Sequence, residues 1–201
     1  TKNYILKNDL MILDILAAND WKRPIYFAVT TGDDAYLGLQ EHFQLEGLTY
    51  RLVPVKTTNN GDGQTGRVNT DLMYENMMNK FKWGGMETKD IYMDENNRRM
   101  CMNLRNNFGR LANELIKEGK KDKALKVLEK CIEVMPDEII PYDFFFFFLV
   151  EGFYKLNENE KGNTVLKRMF EIYEDNAKYY LSLSPKYQKT LERERDQAMA
   201  I

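Results

Sequence analysis

Few residues in this chain have the type and spacing that catalysis or metal binding requires. His42 is the single histidine, and the nearby acidic residues Glu41 and Glu46 do not complete a set of metal ligands. The acidic turn from Thr31 to Asp34 follows a predicted strand, where α/β proteins often bind ligands, although paired Asp residues in turns also cap helices. The sequence therefore offers one candidate enzyme site, near this turn and His42, and predicts no metal and no cofactor.

Serine, cysteine and the glycine-rich loop are predicted to have structural rather than chemical roles. No serine or cysteine stands in a nucleophile motif. Cys101 and Cys131 lie in predicted helices and are too few for a disulfide framework, so we expect two free, buried thiols. The glycine-rich stretch from Thr57 to Gly66 lacks the distal glutamate of a calcium-binding loop, and we expect a mobile loop there.

Composition and charge exclude several classes of partner. The chain is 43% apolar and 30% charged, and its net charge of −2 creates no field that would recruit nucleic acid. No apolar run reaches the roughly 20 residues of a membrane span. Because residue 1 is threonine, we expect a fragment or a processed product of a longer protein.

Residues 1–93 predict a small α/β segment. A short, largely buried helix is expected over residues 8–19, and a second helix over 35–43. Strands rich in β-branched and aromatic residues are expected over 25–29 and 48–55, and the connection between them is long enough for parallel pairing. Two strands alone make a poor sheet, so the segment is predicted to be incomplete.

Residues 94–201 predict a helical domain that begins at Asp94. Small Ala124 allows two helices to approach closely, and Pro136 ends the second helix. One face of the first helix is apolar at Phe108, Leu111, Ala112 and Leu115. Counted from Arg105, this pattern resembles the tetratricopeptide repeat, a 34-residue pair of antiparallel helices.

A second, weaker copy follows, because residues 127–134 align with residues 165–172. Four extra residues, 139–142, lengthen the spacing; Asp143 takes the position of Arg105, and Gly162 that of Ala124. We expect two stacked helix pairs over residues 105–176 and a charged capping helix from Lys186 to Ile201. The predicted fold class is mainly α, with a small, incomplete α/β segment of two strands before the helix pairs.

Five consecutive phenylalanines, Phe144–Phe148, cover the whole circumference of a predicted helix in the second copy. Phe146 is expected to face its own partner helix. In the repeat family, certain positions of the first helices line a concave groove. Here those positions hold Asn106, Asn113, Lys117, Phe144, Phe147, Glu151, Tyr154 and Lys155.

Two interpretations of this groove stay open. Either another part of the chain fills it, or it binds an apolar peptide or a missing domain. A two-repeat array is short and needs neighbours to bury its faces, which favours the filled groove.

Several short runs also resemble the C-terminal soluble part of a family of large bacterial membrane proteins. That family carries a domain of unknown function and is related to protein O-mannosyltransferase-type glycosyltransferases. The runs are LDILA (13–17), NDWKRPIYFA (19–28), LEGL (45–48), YRLVP (50–54), MNKFKWG (78–84) and NLRNNF (103–108). The resemblance implies many membrane helices upstream and a periplasmic position for this part, and it transfers no catalytic residue to this chain.

The predicted function is a non-catalytic interaction domain of a membrane-anchored protein. Its partner would be a protein or peptide, such as an acceptor polypeptide, or the missing membrane part of its own chain. Two alternatives remain: an enzyme domain with its site near the Thr31 to Asp34 turn and His42, and a purely structural cap on the membrane part.

Overall fold

The computed structural model describes residues 4–57, 61–88 and 90–199. The chain divides into two compact units with a boundary after Lys82, whereas the sequence suggested a boundary after residue 93. The described residues are mainly helical, with a small four-stranded sheet in the N-terminal unit, which confirms the predicted fold class.

The N-terminal unit contains α1 (Lys7–Asn19), α2 (Thr70–Glu75) and four short strands. The strands are β1 (Tyr26–Ala28), β2 (Phe43–Leu45), β3 (Thr49–Leu52) and β4 (Arg67–Val68). The C-terminal unit contains α3 (Glu95–Lys117), α4 (Lys121–Val134), α5 (Phe146–Lys155), α6 (Asn159–Ser182), α7 (Pro185–Thr190) and α8 (Glu192–Met199). Asn69 and Asp94 are the N-caps of α2 and α3, and their side chains accept hydrogen bonds from the N–H groups of Leu72 and Asn97.

The sheet has the strand order β1-β3-β2-β4. β3 pairs antiparallel with β1 and with β2, and β4 pairs parallel with β2. Alternate side chains share one face, as the period of two requires. The buried face carries a row across all four strands: Phe27, Tyr50, Leu45 and Val68.

The predictions for this sheet were partly wrong. The structure has four strands rather than two, and β1 and β3, which lie within the two predicted strands, pair antiparallel. The helix expected over residues 35–43 is replaced by the 3-10 turns Asp33–Ala35 and Gln40–His42 and by β2. The left-handed backbone of Leu37 and Gly38, at φ +53° and +76°, interrupts any helix there.

Helix α1 is much less buried than its apolar sequence predicted. Only Asp9 is buried, and Ile12, Leu16 and Asn19 continue the same stripe as half-buried residues. The other large apolar side chains of the helix are 44–58% exposed: Leu10, Met11, Leu13 and Ile15. Of the predicted loop over residues 57–66, residues 58–60 lie outside the described residues.

Two helix pairs form the core of the C-terminal unit, where α3 packs on α4 and α5 packs on α6. In each connection the chain reverses through one left-handed residue, Gly119 at φ +75° and Asn157 at φ +63°. These residues differ in number by 38, as do the first residues of α4 and α6, Lys121 and Asn159. The 38-residue spacing seen in the sequence is therefore a structural repeat. The first turn lies at residues 118–120, slightly earlier than residues 120–122, where the repeat pattern predicts it.

The residues predicted to lie between the paired helices are buried. The two apolar stripes comprise Phe108, Leu111, Ala112 and Leu115 of α3 and Phe146, Leu149, Val150 and Phe153 of α5. Ala124 is fully buried, and a Cβ added at Gly162 would lie 3.1 Å from the Tyr154 ring. Both small residues thus stand where large side chains do not fit.

Glu174 stands where the first copy has Pro136, so the sequence predicts no helix end there, and α6 continues to Ser182. The single last helix expected from Lys186 is instead two helices, α7 and α8, which break at Leu191. α8 packs back on α6, and its Ala198 is buried. Residues 200 and 201 of the predicted capping helix lie outside the described residues.

The connection between α4 and α5 is held by the fully buried guanidinium of Arg105. Its Nη1 lies 2.6 Å from Oδ2 of Asp143 and 2.7 Å from the carbonyl oxygen of Pro141, and its Nη2 donates to the carbonyl of Ile140. The guanidinium carbon also lies 4.5 Å from the centre of the Phe146 ring. Arg105 therefore satisfies carbonyls that the four-residue insertion leaves without helical partners.

Replacing Asp143 with alanine should destabilise the protein by about 3–5 kcal/mol, because the buried guanidinium would lose its counter-charge. Asp143→Asn should cost less, since the amide oxygen still accepts hydrogen bonds. Lys178→Ala, which breaks an exposed pair with Glu174, is the control and should leave the denaturation midpoint unchanged. Denaturant titration measures all three, and a wild-type midpoint for Asp143→Ala would contradict the role given to Arg105.

Candidate interaction surface

The five phenylalanines do not all lie in the helix, as the sequence predicted. α5 begins at Phe146, and the N–H groups of residues 146–148 bond to carbonyls three residues earlier, so the first turn is tightened. Oδ1 of Asp143 accepts the N–H of Phe145 at 2.8 Å. The carboxylate that pairs with Arg105 thus also fixes where α5 starts.

The phenylalanines divide into a buried residue and an exposed cluster. Phe146 is fully buried, whereas Phe144 is 61% and Phe148 42% exposed, and Phe145 and Phe147 are half-buried. The Phe144 ring lies 5.8–6.3 Å, between centroids, from the rings of Phe145, Phe147 and Phe148. We call Phe144, Phe145, Phe147 and Phe148 the phenylalanine patch. The described residues leave Phe144 uncovered, so the expectation that the chain itself fills this face is wrong at that residue.

The polar residues predicted for the groove are only partly brought together. Nζ of Lys155 lies 3.1 Å from Oδ1 of Asn113 and 2.9 Å from Oε1 of Glu151, so these three join α5 to α3. Lys117 pairs instead with Glu114 at 2.6 Å. Asn106 is half-buried on α3.

Tyr154 belongs more to its own helix pair than to an open groove. Its hydroxyl donates to Oδ1 of Asn163 on α6 at 2.7 Å, and its ring lies over Gly162. On α3, a Cβ added at Gly109 would lie 3.2 Å from Cβ of Phe148, so the absence of a side chain lets α3 and α5 approach there. The patch therefore stands beside the contact between the two first helices.

The candidate enzyme site in the N-terminal unit is not assembled as predicted. His42 lines a cavity of about 240 Å³, and the turn from Thr31 to Asp34 is not part of its wall. In that turn, the hydroxyl of Tyr36 donates to the carbonyl of Thr31 at 2.6 Å. Sequence reasoning missed the cavity, because its walls come from α1, the connector after it, the 3-10 turn that ends at His42, and the end of β3.

Sequence reasoning also missed the buried carboxylate of Glu46, directly after β2. Glu46 accepts hydrogen bonds from the Tyr26 hydroxyl at 3.1 Å and from Nε2 of Gln44 at 2.7 Å, and it lies 3.5 Å from Nη1 of Arg51. Burial and the neighbouring Glu46 raise the pKa of Tyr26. The carbonyl of Glu46 accepts from Asn76, so the group ties the β2–β3 turn to the helix that follows β4.

The thiols and acidic groups show no arrangement for metal binding within the part of the chain that the structure describes, where no cluster of three or more potential ligands occurs. Cys101 and Cys131 are both free and buried. Burial raises the pKa of both thiols. Sγ of Cys101 lies 3.8 Å from Sδ of Met86, inside the helical unit.

Comparison with known proteins gives one similarity. Residues 1–72 match the family model described as TMEM260-associated domain 2, a domain of unknown function linked to a membrane protein family. No curated protein and no solved structure matches the chain. Within residues 4–57, 61–88 and 90–199, no helix has both the length and the apolar character to span a bilayer. The similarity covers α1 and the whole sheet, and the helix pairs lie outside it.

Alanine substitutions at buried and exposed positions of the five phenylalanines should lower the stability by different amounts. Phe146→Ala should cost about 3–5 kcal/mol, because it empties a fully buried position. Phe144→Ala should cost less than about 1 kcal/mol, since most of its side chain already meets solvent. Thermal or denaturant unfolding measures both, and equal losses would show that the patch is covered in solution.

Neither cysteine should react with a thiol reagent such as dithionitrobenzoate while the protein is folded. Their burial removes access, and their raised pKa keeps the reactive thiolate scarce. Both should react once denaturant is added. Ser182→Cys, at an exposed position, is the positive control, and rapid labelling of Cys101 or Cys131 in the native protein would contradict the predicted packing.

Proposed function

We propose that this chain is a non-catalytic interaction domain of a membrane-anchored protein, and that its helix pairs bind a segment of polypeptide. The observation that carries the proposal is the exposed phenylalanine patch at the start of α5, beside the line where α3 and α5 approach each other. Exposed aromatic clusters of this kind mark interaction sites.

The helix pairs support a tetratricopeptide-like scaffold. Both pairs repeat at 38 residues, both turn through a left-handed residue, and both bury a small residue of the second helix, Ala124 or Gly162. In such scaffolds the first helices of successive pairs line one shared surface. Here those helices are α3 and α5, which pack on each other and carry the proposed site.

The chemistry of the surface favours a partner with apolar or aromatic side chains. In the patch, the centroids of three phenylalanine rings lie within 6.3 Å of the Phe144 ring centroid. The charges next to it are internally balanced, because Lys155 pairs with Glu151 and Lys117 pairs with Glu114. Aromatic contacts would therefore provide most of the affinity, while the amide of Asn113 and the ammonium of Lys155 would orient the bound backbone.

The link to a membrane-anchored parent rests on the N-terminal unit. The match of residues 1–72 to TMEM260-associated domain 2 supports it, as do the sequence runs that resemble a glycosyltransferase-related membrane protein family. We include in the proposal a periplasmic position and three possible occupants: an acceptor polypeptide, a separate protein, or the membrane part of the same parent.

Fluorescence anisotropy with labelled peptides should test the surface directly. Peptides that carry one or two aromatic residues in a polar background should bind, and Phe144→Ala combined with Phe147→Ala should weaken binding at least tenfold, as loss of an interface hot spot does. Phe170→Ala is the matched control, because Phe170 is 49% exposed and lies on α6, the second helix of its pair.

A second arm identifies the occupant. A photo-cross-linking phenylalanine analogue at residue 144 of the parent protein should give adducts that are absent when the analogue replaces Phe170. An adduct within the parent chain identifies its own membrane part, and an adduct with another polypeptide identifies a separate partner. Equal affinity of wild type and the double variant, with no adduct from residue 144, would overturn the proposal.

A further inference from the structure

The cavity of the N-terminal unit has no part in the proposed function of the helix pairs. It measures about 240 Å³ and is lined by six apolar side chains and by Asn19 and His42. A dry apolar cavity of about 150 Å³ is enough to bind benzene. The space here therefore accepts one aromatic ring with a substituent, and it is smaller than a site for a drug-sized ligand. The apolar residues are Leu16, Trp21, Ile25, Leu39, Leu52 and Pro54.

The two polar side chains of the cavity, Asn19 and His42, differ in their hydrogen bonds within the protein. Nδ2 of Asn19 donates to the carbonyl of Arg23 at 2.8 Å, so this amide is turned to its own loop. His42 is half-buried, and among the described residues its imidazole makes no hydrogen bond. An imidazole offers one donor and one acceptor nitrogen when neutral. It is therefore the group that can orient a polar substituent on a ring inside the cavity.

The backbone beside the cavity is strained. Asp20 and Trp21 both adopt left-handed conformations, at φ +46° and +57°, directly after α1 ends. A bulky side chain rarely takes this conformation, and such residues are concentrated at ligand sites. The result is that the Trp21 indole forms part of the cavity wall while 57% of the residue stays exposed, so it borders the entrance.

We propose that this cavity binds a single aromatic ring with one hydrogen-bonding substituent, as in a phenol or an indole. The ring would pack against Trp21 and the leucines, and the substituent would bond to His42. A free small molecule and a tyrosine or tryptophan side chain of a polypeptide share this chemistry. The site is independent of the phenylalanine patch, because every lining residue belongs to the N-terminal unit.

The single histidine makes a direct test possible, since its ring-proton resonance needs no assignment among other histidines. Adding p-cresol should shift this resonance saturably, with a Kd of about 1 mM or below. Toluene, which has the ring without the hydroxyl, should bind about 2- to 10-fold more weakly, as expected for one hydrogen bond. No saturable shift would overturn the site, and equal affinity for toluene would overturn the role of His42.

Variants of α1 locate the binding in the cavity. Leu16→Phe places a larger side chain into the space and should abolish p-cresol binding. Leu13→Phe makes the same change on an exposed part of the same helix and should leave binding unchanged. If Leu16→Phe is folded and still binds p-cresol with wild-type affinity, the cavity is not the site.

A second readout covers the case in which Leu16→Phe does not fold. In a Trp83→Phe background, Trp21 is the only tryptophan, and its fluorescence should respond to p-cresol. His42→Phe should then weaken p-cresol binding to the level of toluene, while His42→Gln, which keeps a hydrogen-bonding group, should restore part of the difference. Unchanged preference for p-cresol in His42→Phe would overturn the proposed bond.

A capped amino acid distinguishes whether the natural ligand is a polypeptide side chain or a free small molecule. N-acetyl-tyrosinamide should bind at least as tightly as p-cresol if the natural ligand is a polypeptide side chain. It should bind at least tenfold more weakly if the cavity takes a free molecule, because the attached backbone would be excluded. Binding of neither compound would overturn the proposal.

Discussion

The buried guanidinium of Arg105 is the interaction on which the helical unit depends. A charge this deeply buried is stable only when it is paired and hydrogen-bonded. Here Asp143 supplies the counter-charge, and the carbonyls of the insertion accept from Nη1 and Nη2, while Nε has no hydrogen-bond partner among the described residues. Arg105 and Asp143 occupy the same position in the two copies of the repeat, 38 residues apart. One ion pair therefore joins the two copies and holds the four residues that would otherwise disturb their spacing.

The candidate surface follows from the same ion pair. Asp143 bonds with one oxygen to Arg105 and with the other to the N–H of Phe145, so α5 can begin only at Phe146. Phe146 is then placed under the guanidinium, stacked on Tyr142 with 3.8 Å between centroids. Phe144 falls before the helix and outside the core. The division of five identical residues into core and surface is thus set by one carboxylate.

The N-terminal unit is organised differently, around an aromatic layer on one face of the sheet. Phe27, Tyr36, Phe43 and Tyr50 pack with centroids 4.9–6.1 Å apart, and burial raises the pKa of Tyr36 to about 12. This layer fills the middle of the face. Toward α1 the packing is incomplete, which leaves the cavity beside His42 and the exposed apolar side chains of the helix.

The sequence by itself determined the helix pairs, because their apolar spacing and small residues are local signals that recur along both copies. It also marked Phe146 as core, but it favoured a filled groove over Phe144, which the structure leaves exposed. It failed for β2, β4 and the 35–43 segment, since strands of two or three residues carry too little pattern and depend on their partners. It predicted α1 as buried because composition gives only apolar character, whereas burial depends on which neighbours are present. Only the tertiary structure decided the Arg105–Asp143 pair and the His42 cavity, because both are built from side chains of separate segments that no local pattern connects.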